Sequence, residues 1–154
     1  RYFREYFKEQ GIYQNLLYEG VEAMLESLCR SRLTLYIATS KLEIFAVQII
    51  GYFKLNSYFK DVTGCFADGS RVEKAEIIDY IIKKHQLNRI DCLMIGDRKH
   101  DIIGARENHI DCGAVLYGFG TKDEITKYQP DYIFGQIDDI AKLLCPDPDV
   151  NNTF

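Results

Sequence analysis

The stretch Cys92-Leu93-Met94-Ile95-Gly96-Asp97-Arg98-Lys99-His100-Asp101-Ile102-Ile103-Gly104-Ala105 decides the fold. Its first four residues are apolar and give way at once to Gly-Asp, which reads as a short buried strand. Ile102 to Ala105 then reads as a helix starting immediately. The strand therefore ends by presenting two carboxylates, Asp97 and Asp101, four residues apart at its carboxyl edge. In an open parallel α/β sheet that edge is where ligands bind. Neighbouring carboxylates repel each other, and a hard cation such as Mg²⁺ is the usual reason to keep both. The plainer alternative is a helix N-cap with an acidic first turn.

Outward from that stretch, strands and helices alternate. Leu33–Thr39 is a nearly continuous β-rich run, expected of a strand buried on both faces. A helix is expected over 42–53 and a short strand near Val62-Thr63. A helix over 72–85 follows, with Ile77, Ile78, Ile81 and Ile82 turned inward. Strands are expected over 91–95, 112–117 and 132–134, with helices over 101–108, 122–128 and 137–144. Val21, Met24, Leu25 and Leu28 mark a helix over 21–29. Tyr2, Phe3, Tyr6 and Phe7 give residues 1–10 a helical apolar stripe that Gly11 stops. The alternation implies βαβ units and a parallel sheet.

The bulk properties narrow the class. The 154 residues suffice for one domain with a core, and 47% are hydrophobic, so the chain is globular. A net charge of -4 argues against a partner that is a nucleic-acid polymer. No apolar run approaches the roughly 20 residues of a membrane helix. Cys29, Cys65, Cys92, Cys112 and Cys145 are dispersed without a C-x-x-C pair. Together with the lack of a leader-like segment, this suits reduced thiols and a cytoplasmic location. The chain opens at Arg1 rather than at Met, as a segment of a longer protein would.

Three further positions bear on chemistry. Thr39 and Ser40 end the first long strand, where hydroxyls and backbone N–H groups can cradle a phosphate; alternatively Ser40 only caps the next helix. Lys74 sits in the first turn of the 72–85 helix, where the macrodipole disfavours a cation. Such a placement hints at an anion nearby. Tyr117-Gly118-Phe119-Gly120 could be half of a dinucleotide loop, but Asp123 stands where the third glycine belongs. It reads better as a loop at the rim of the phosphate site. His85, His100 and His109 are scattered and read as surface or helix-end residues.

The order strand-Thr-Ser-Lys, then Ser-Arg-x-x-Lys, then strand-Gly-Asp-x-x-x-Asp resembles the haloacid dehalogenase superfamily. The segments LYIATSK, DGSRVEKAEIIDY and MIGDRKHDIIGARENHIDCGAVLYGFG are similar to its phosphoglycolate-phosphatase-like branch, which includes 5′-nucleotidase-like members. The resemblance implies a three-layer α/β Rossmann-like core over residues 16–145. Residues 1–15 would end a helical cap, and 146–154 would form a loose tail. It implies a Mg²⁺-dependent phosphatase acting on a small phosphorylated metabolite, a phosphoglycolate-like ester or a nucleoside monophosphate. Phosphomutase chemistry is a variant of the same theme. Thr39, Ser40 and Lys74 would bind the phosphoryl group, Thr39 and Lys74 as catalytic residues, and Asp97 and Asp101 would bind the metal.

One family segment has no counterpart. The nucleophilic Asp of the family's D-x-D-G-T motif follows the first strand, and Asp68-Gly69-Ser70 does not supply it, because Phe66 occupies the nucleophile position. Asp68-Gly69 reads as a turn, and Thr63-Gly64-Cys65 as a poor strand. The resemblance places the missing strand in the middle of the sheet, between the strands ending at Thr39 and Ile95. The chain alone is then expected to be inactive and prone to self-association. A non-catalytic phosphate- or metal-binding regulatory module is the alternative.

Overall fold

The computed structural model describes residues 16–145, so the aromatic stripe of residues 1–10 and the expected tail lie outside the described residues. Helix α1 (Val21–Arg30) leads into β1 (Leu35–Leu42), α2 (Glu43–Tyr52), β2 (Phe59–Cys65) and α3 (Lys74–His85). Then come β3 (Leu93–Gly96), α4 (Lys99–Glu107), β4 (Asp111–Val115), α5 (Lys122–Tyr128), β5 (Tyr132–Phe134) and α6 (Asp138–Leu144). Every strand pair is parallel.

The strands form two groups. Among the described residues β1 pairs with β2, while β3, β4 and β5 run side by side in that order. β1 and β3 do not pair among the described residues. An apolar cavity of about 740 Å³ separates them, lined by Leu35 and Ile37 of β1, Leu93 and Ile95 of β3, and Ile78 and Ile81 of α3. That is several times the roughly 150 Å³ left by truncating one large core side chain. The gap lies where the family resemblance puts its absent strand. It also explains a departure from the sequence reading. The β-rich run predicts burial on both faces, yet Leu35 to Ala38 are only partly buried, and among the described residues one edge of β1 has no strand neighbour.

Layers form on both faces of the sheet. Ile102, Ala105 and Ile125 of α4 and α5 pack on Cys112 and Ala114, with Met94 beside them. Leu28 of α1 and Ile140 of α6 pack on Val115 and Phe134, with Ile95 and Leu35 alongside. Met94 and Ile95 thus face opposite layers, as the two-residue period of a strand requires. The fold is the expected three-layer α/β architecture. The four isoleucines of α3 are all buried.

Two local expectations are corrected. Thr39 and Ser40 do not end β1, which continues to Leu42, and the residue preceding α2 is Leu42, with no side-chain cap. Ser40 is therefore not a helix cap. Thr63-Gly64-Cys65 is not a poor strand: it completes β2, with Thr63 and Gly64 buried. Gly64 suits its place because Lys41 O and the backbone of Glu43, at the junction of β1 and α2, lie against it. Asp68-Gly69 is a turn, as expected. Asp68 Oδ1 accepts from the N–H and hydroxyl of Ser70, and Gly69 adopts φ 86°.

Candidate functional site

The carboxyl ends of β1 and β3 meet the first turns of α3 and α4 at one edge of the sheet. Lys74 is the first residue of α3, behind a capping box formed by Glu73 and Glu76. Its ammonium donates to Ala38 O at 2.7 Å and pairs with Asp101 Oδ1 at 2.9 Å. The Lys74 side chain is 11% exposed and that of Asp101 8%. One buried cation thus spans the gap, joining β1 at Ala38 to the start of α4. The anion hinted at by a lysine in a first helical turn is, among the described residues, Asp101.

Asp101 is fully engaged. Its Oδ2 accepts the N–H groups of Asp97 and Arg98 at 3.1 Å each, which closes the N-terminus of α4. Its charge is balanced by Lys74 and by the helix amides. Asp97 is placed differently. Its Oδ2 accepts the Phe119 N–H at 2.7 Å, and among the described residues nothing engages Oδ1. Of the two aspartates, Asp97 is the one with an oxygen to offer.

The loop after β4 explains why Asp97 is held so. A Cβ on Gly118 or on Gly120 would overlap Asp97. Only glycine lets this backbone close over the aspartate and aim the Phe119 N–H at its carboxylate. The Tyr117–Gly120 segment therefore forms the rim of the site. Glu124 fixes the other side of the same turn. Its Oε1 accepts from Lys99 N at 2.9 Å and Arg98 Nε at 3.1 Å, and these bonds hold its carboxyl below the ordinary glutamate range. Glu124 leaves no signal in the sequence because its partners lie 25 and 26 positions away. Gly118, Gly120 and the Phe119 N–H leave a trace only as an incomplete glycine motif.

Thr39 is half-buried and Ser40 exposed. Thr39 Oγ1 accepts from Lys41 N at 3.2 Å, and Ser40 O accepts from Cys65 Sγ at 3.2 Å. No bond among the described residues joins either side chain to Lys74. They are linked to it through Ala38, next in sequence to Thr39.

The remaining titratable groups lie elsewhere. Asp61, paired in register with Tyr36, accepts from Lys84 Nζ at 2.7 Å and lies 2.8 Å from His85 Nε2. Burial would raise its carboxyl, but the bonds from Lys84 and His85 outweigh that and hold it below the ordinary range. All five cysteines are free thiols, and burial pushes Cys112 up to about 12. Among the described residues no three His, Cys, Asp or Glu side chains are grouped to hold a metal ion. None of their helices is long and apolar enough to cross a membrane.

The model of haloacid dehalogenase-like hydrolases matches residues 1–115. The chain belongs to the haloacid dehalogenase-like hydrolase family. It is 38% identical to a 5′-nucleotidase of Pseudomonas aeruginosa over 93% of this chain and 65% of that protein. A tyrosine-protein kinase, PtkA, of Mycobacterium tuberculosis is 31% identical over 81% of this chain and 43% of its own length. A phosphoglycolate phosphatase of Photobacterium profundum is 29% identical over 93% of this chain and 64% of that protein. The crystal structure of a predicted phosphatase from Clostridium acetobutylicum superposes with a TM-score of 0.90 at 38% identity. That match covers 93% of this chain and 66% of that one. The chain thus spans less than two thirds of the length of these relatives. The expected family and fold class are both borne out.

Proposed function

We propose that this chain is the larger part of a Mg²⁺-dependent phosphatase that hydrolyses a small phosphate monoester. The observation that carries this reading is the buried Lys74, bonded to Ala38 O and Asp101 and placed beside Asp97 at the ligand-binding edge of a parallel sheet. The relatives named 5′-nucleotidase and phosphoglycolate phosphatase support the same class, with a nucleoside monophosphate or a phosphoglycolate-like ester as substrate.

In this reading the cavity between β1 and β3 receives a parallel strand from a segment outside this chain. That strand carries the nucleophilic aspartate to the edge between Ala38 and Gly96. The Thr39 hydroxyl and Ser40 N–H bind phosphoryl oxygens, and Lys74 offsets the charge that builds between phosphoryl group and nucleophile. The aspartate attacks phosphorus as the bond to the ester oxygen breaks, and the leaving alcohol takes its proton from the second aspartate of the same absent segment; water then hydrolyses the aspartyl-phosphate, releasing inorganic phosphate and the free aspartate. Asp97, with Oδ1 available, would hold the metal. Asp101, whose oxygens are both engaged, would orient Asp97 through the backbone of the turn. A single hard carboxylate suits Mg²⁺, which keeps several waters and takes its remaining ligands from substrate and from the nucleophile strand. When bound, the ion would neutralise phosphoryl charge. The same reading places the enzyme in the cytoplasm.

The test is a panel of phosphate monoesters assayed with Mg²⁺ on the full-length polypeptide. Turnover that falls about 10²-fold in Lys74→Ala and strongly in Asp97→Asn, but not in Lys83→Ala, is expected. Equal effects at Lys74 and Lys83 would refute the catalytic role of Lys74. A full-length protein without an acidic residue in the inserted strand would favour the regulatory, non-catalytic alternative.

A further inference from the structure

Arg71 has no part in the proposed catalytic site, yet its side chain is buried and held by several contacts. Its side chain is 7% exposed. The guanidinium lies between two rings, 3.9 Å from the centroid of Phe66 and 4.2 Å from that of Tyr80. Nε donates to Gly64 O at 2.9 Å, and one terminal nitrogen pairs with Glu43 Oε2 at 2.6 Å. The other, Nη1, is buried without a partner. The backbone of Arg71 sits at φ 53°, a left-handed conformation that costs free energy for a residue with a side chain. Such strain persists only where surrounding contacts impose it. Buried guanidinium groups normally use their donors, so an idle one marks a side chain placed for something other than its own satisfaction.

The contacts say what Arg71 secures. Glu43 is the first residue of α2 and also accepts the Gly64 N–H at 3.2 Å. Arg71 and Glu43 therefore grip both polar groups of the same residue on β2. A Cβ on Gly64 would run into Lys41 O and the backbone of Glu43, so Gly64 lies directly against the junction of β1 and α2 that follows Ser40. The neighbouring Cys65 thiol donates to Ser40 O. The irregular stretch of β1 bearing Thr39 and Ser40 is thus braced from β2 by one ionic clamp, and Arg71 closes that clamp from the loop that enters α3 at Lys74.

We infer that Arg71 is a positioning residue for phosphate binding: it fixes the backbone of β1 at Thr39 and Ser40 through Glu43 and Gly64. This rests on the proposed phosphatase site. Lysine cannot replace the two-pronged contact, because a point charge does not reach Gly64 O and Glu43 together. Displacing this phosphate-binding stretch by a fraction of an ångström weakens ground-state binding of the anion while Lys74, anchored separately by Ala38 O and Asp101, stays in place.

The experiment measures inhibition by inorganic phosphate, KM and kcat in the full-length protein for Arg71→Ala, Arg71→Lys and Glu43→Gln, with Lys74→Ala and Asp97→Asn alongside. Arg71→Ala is expected to weaken phosphate inhibition and raise KM by about tenfold or more, with kcat at saturation little changed. Arg71→Lys should move both in the same direction by less. Phosphate affinity within twofold of the parent in both Arg71 variants would overturn the inference. If Arg71→Ala does not fold, Arg71→Lys alone decides on the same criterion. Full activity in Lys74→Ala and Asp97→Asn would instead overturn the phosphatase reading, which keeps the two failures apart.

Discussion

Replacing Lys74 by Met keeps most of the apolar stem and removes the ammonium that lies between Ala38 O and Asp101. What remains is a carboxylate 8% exposed, with two backbone N–H groups and no counter-charge. Breaking one side of a buried ion pair costs about 3–5 kcal/mol, because the surviving charge stays desolvated. The retained amides place Lys74→Met at the low end of that range. Against a domain stability of about 5–15 kcal/mol this is a large fraction. At a urea slope of roughly 2 kcal/mol per M, the unfolding midpoint should fall by about 1.5 M. Adding Asp101→Asn to Lys74→Met removes the orphaned charge and keeps an oxygen for the two N–H groups. The double variant should therefore be more stable than Lys74→Met alone. Urea unfolding of the 154-residue chain, followed by far-ultraviolet circular dichroism, measures both. A loss under about 0.5 kcal/mol in Lys74→Met, or a double variant no more stable than the single, would refute the view that this ion pair spans the gap.

Further outcomes follow from other parts of the molecule. Asp97→Asn in the full-length protein should shift Mg²⁺ activation to much higher concentration, and an unchanged titration would remove Asp97 from the metal site. The isolated chain should not turn over p-nitrophenyl phosphate and should self-associate through its unpaired strand edges, whereas an upstream extension through the missing strand should raise the melting midpoint and favour monomer; equal midpoints would mean the sheet does not need that strand. Asp61 is held below its ordinary value of 3.8, so its contribution to stability is complete above that pH and is lost as pH falls through its lower folded-state value. Acid unfolding in Asp61→Asn should lack that component, and identical acid limbs would count against the Asp61–Lys84–His85 contacts. Cys112, with its thiol pushed up to about 12 by burial, should react with a disulfide reagent at pH 8 only after unfolding, while labelling in the native state would contradict its burial.

Much of this arrangement is legible because it is written in local patterns. The isoleucines of α3 repeat at helical spacing, and β3 is a short apolar run closed by Gly-Asp, so both elements and their order can be read from single segments. Even the gap between β1 and β3 is foreseeable, because the sequence resembles a family whose middle strand carries a motif this chain lacks. What escapes are contacts between distant segments. Asp97 and Asp101 look like an equivalent pair in sequence, but the ion pair from Lys74, on another helix, engages one and leaves the other available. The sequence pattern ends the first long strand at Thr39, but β1 is prolonged to Leu42 by the register shift that pairs Leu42 with Cys65. Gly64 looks like a defect in a strand; it is the point where a neighbouring backbone comes too close for any side chain.

The division of the sheet also bears on how the chain opens. β1, α2, β2 and α3 are consecutive, and so are β3, α4, β4, α5 and β5, so each strand group is built from sequence neighbours. Among the described residues β1 and β3 are not strand partners across the gap, and the groups are joined instead at the α3–α4 contact, where Lys74 pairs with Asp101 and Asn108 donates to Ala75 O. Contiguous segments of this kind often open as cooperative units, so amide exchange is expected to differ between the two groups. Helix α1 breaks the symmetry: it precedes β1 in sequence but packs through Leu28 on Val115, Phe134 and Ile140 of the second group. Native-state hydrogen exchange should then protect α1 together with β4, β5 and α6, ahead of the strand that directly follows it.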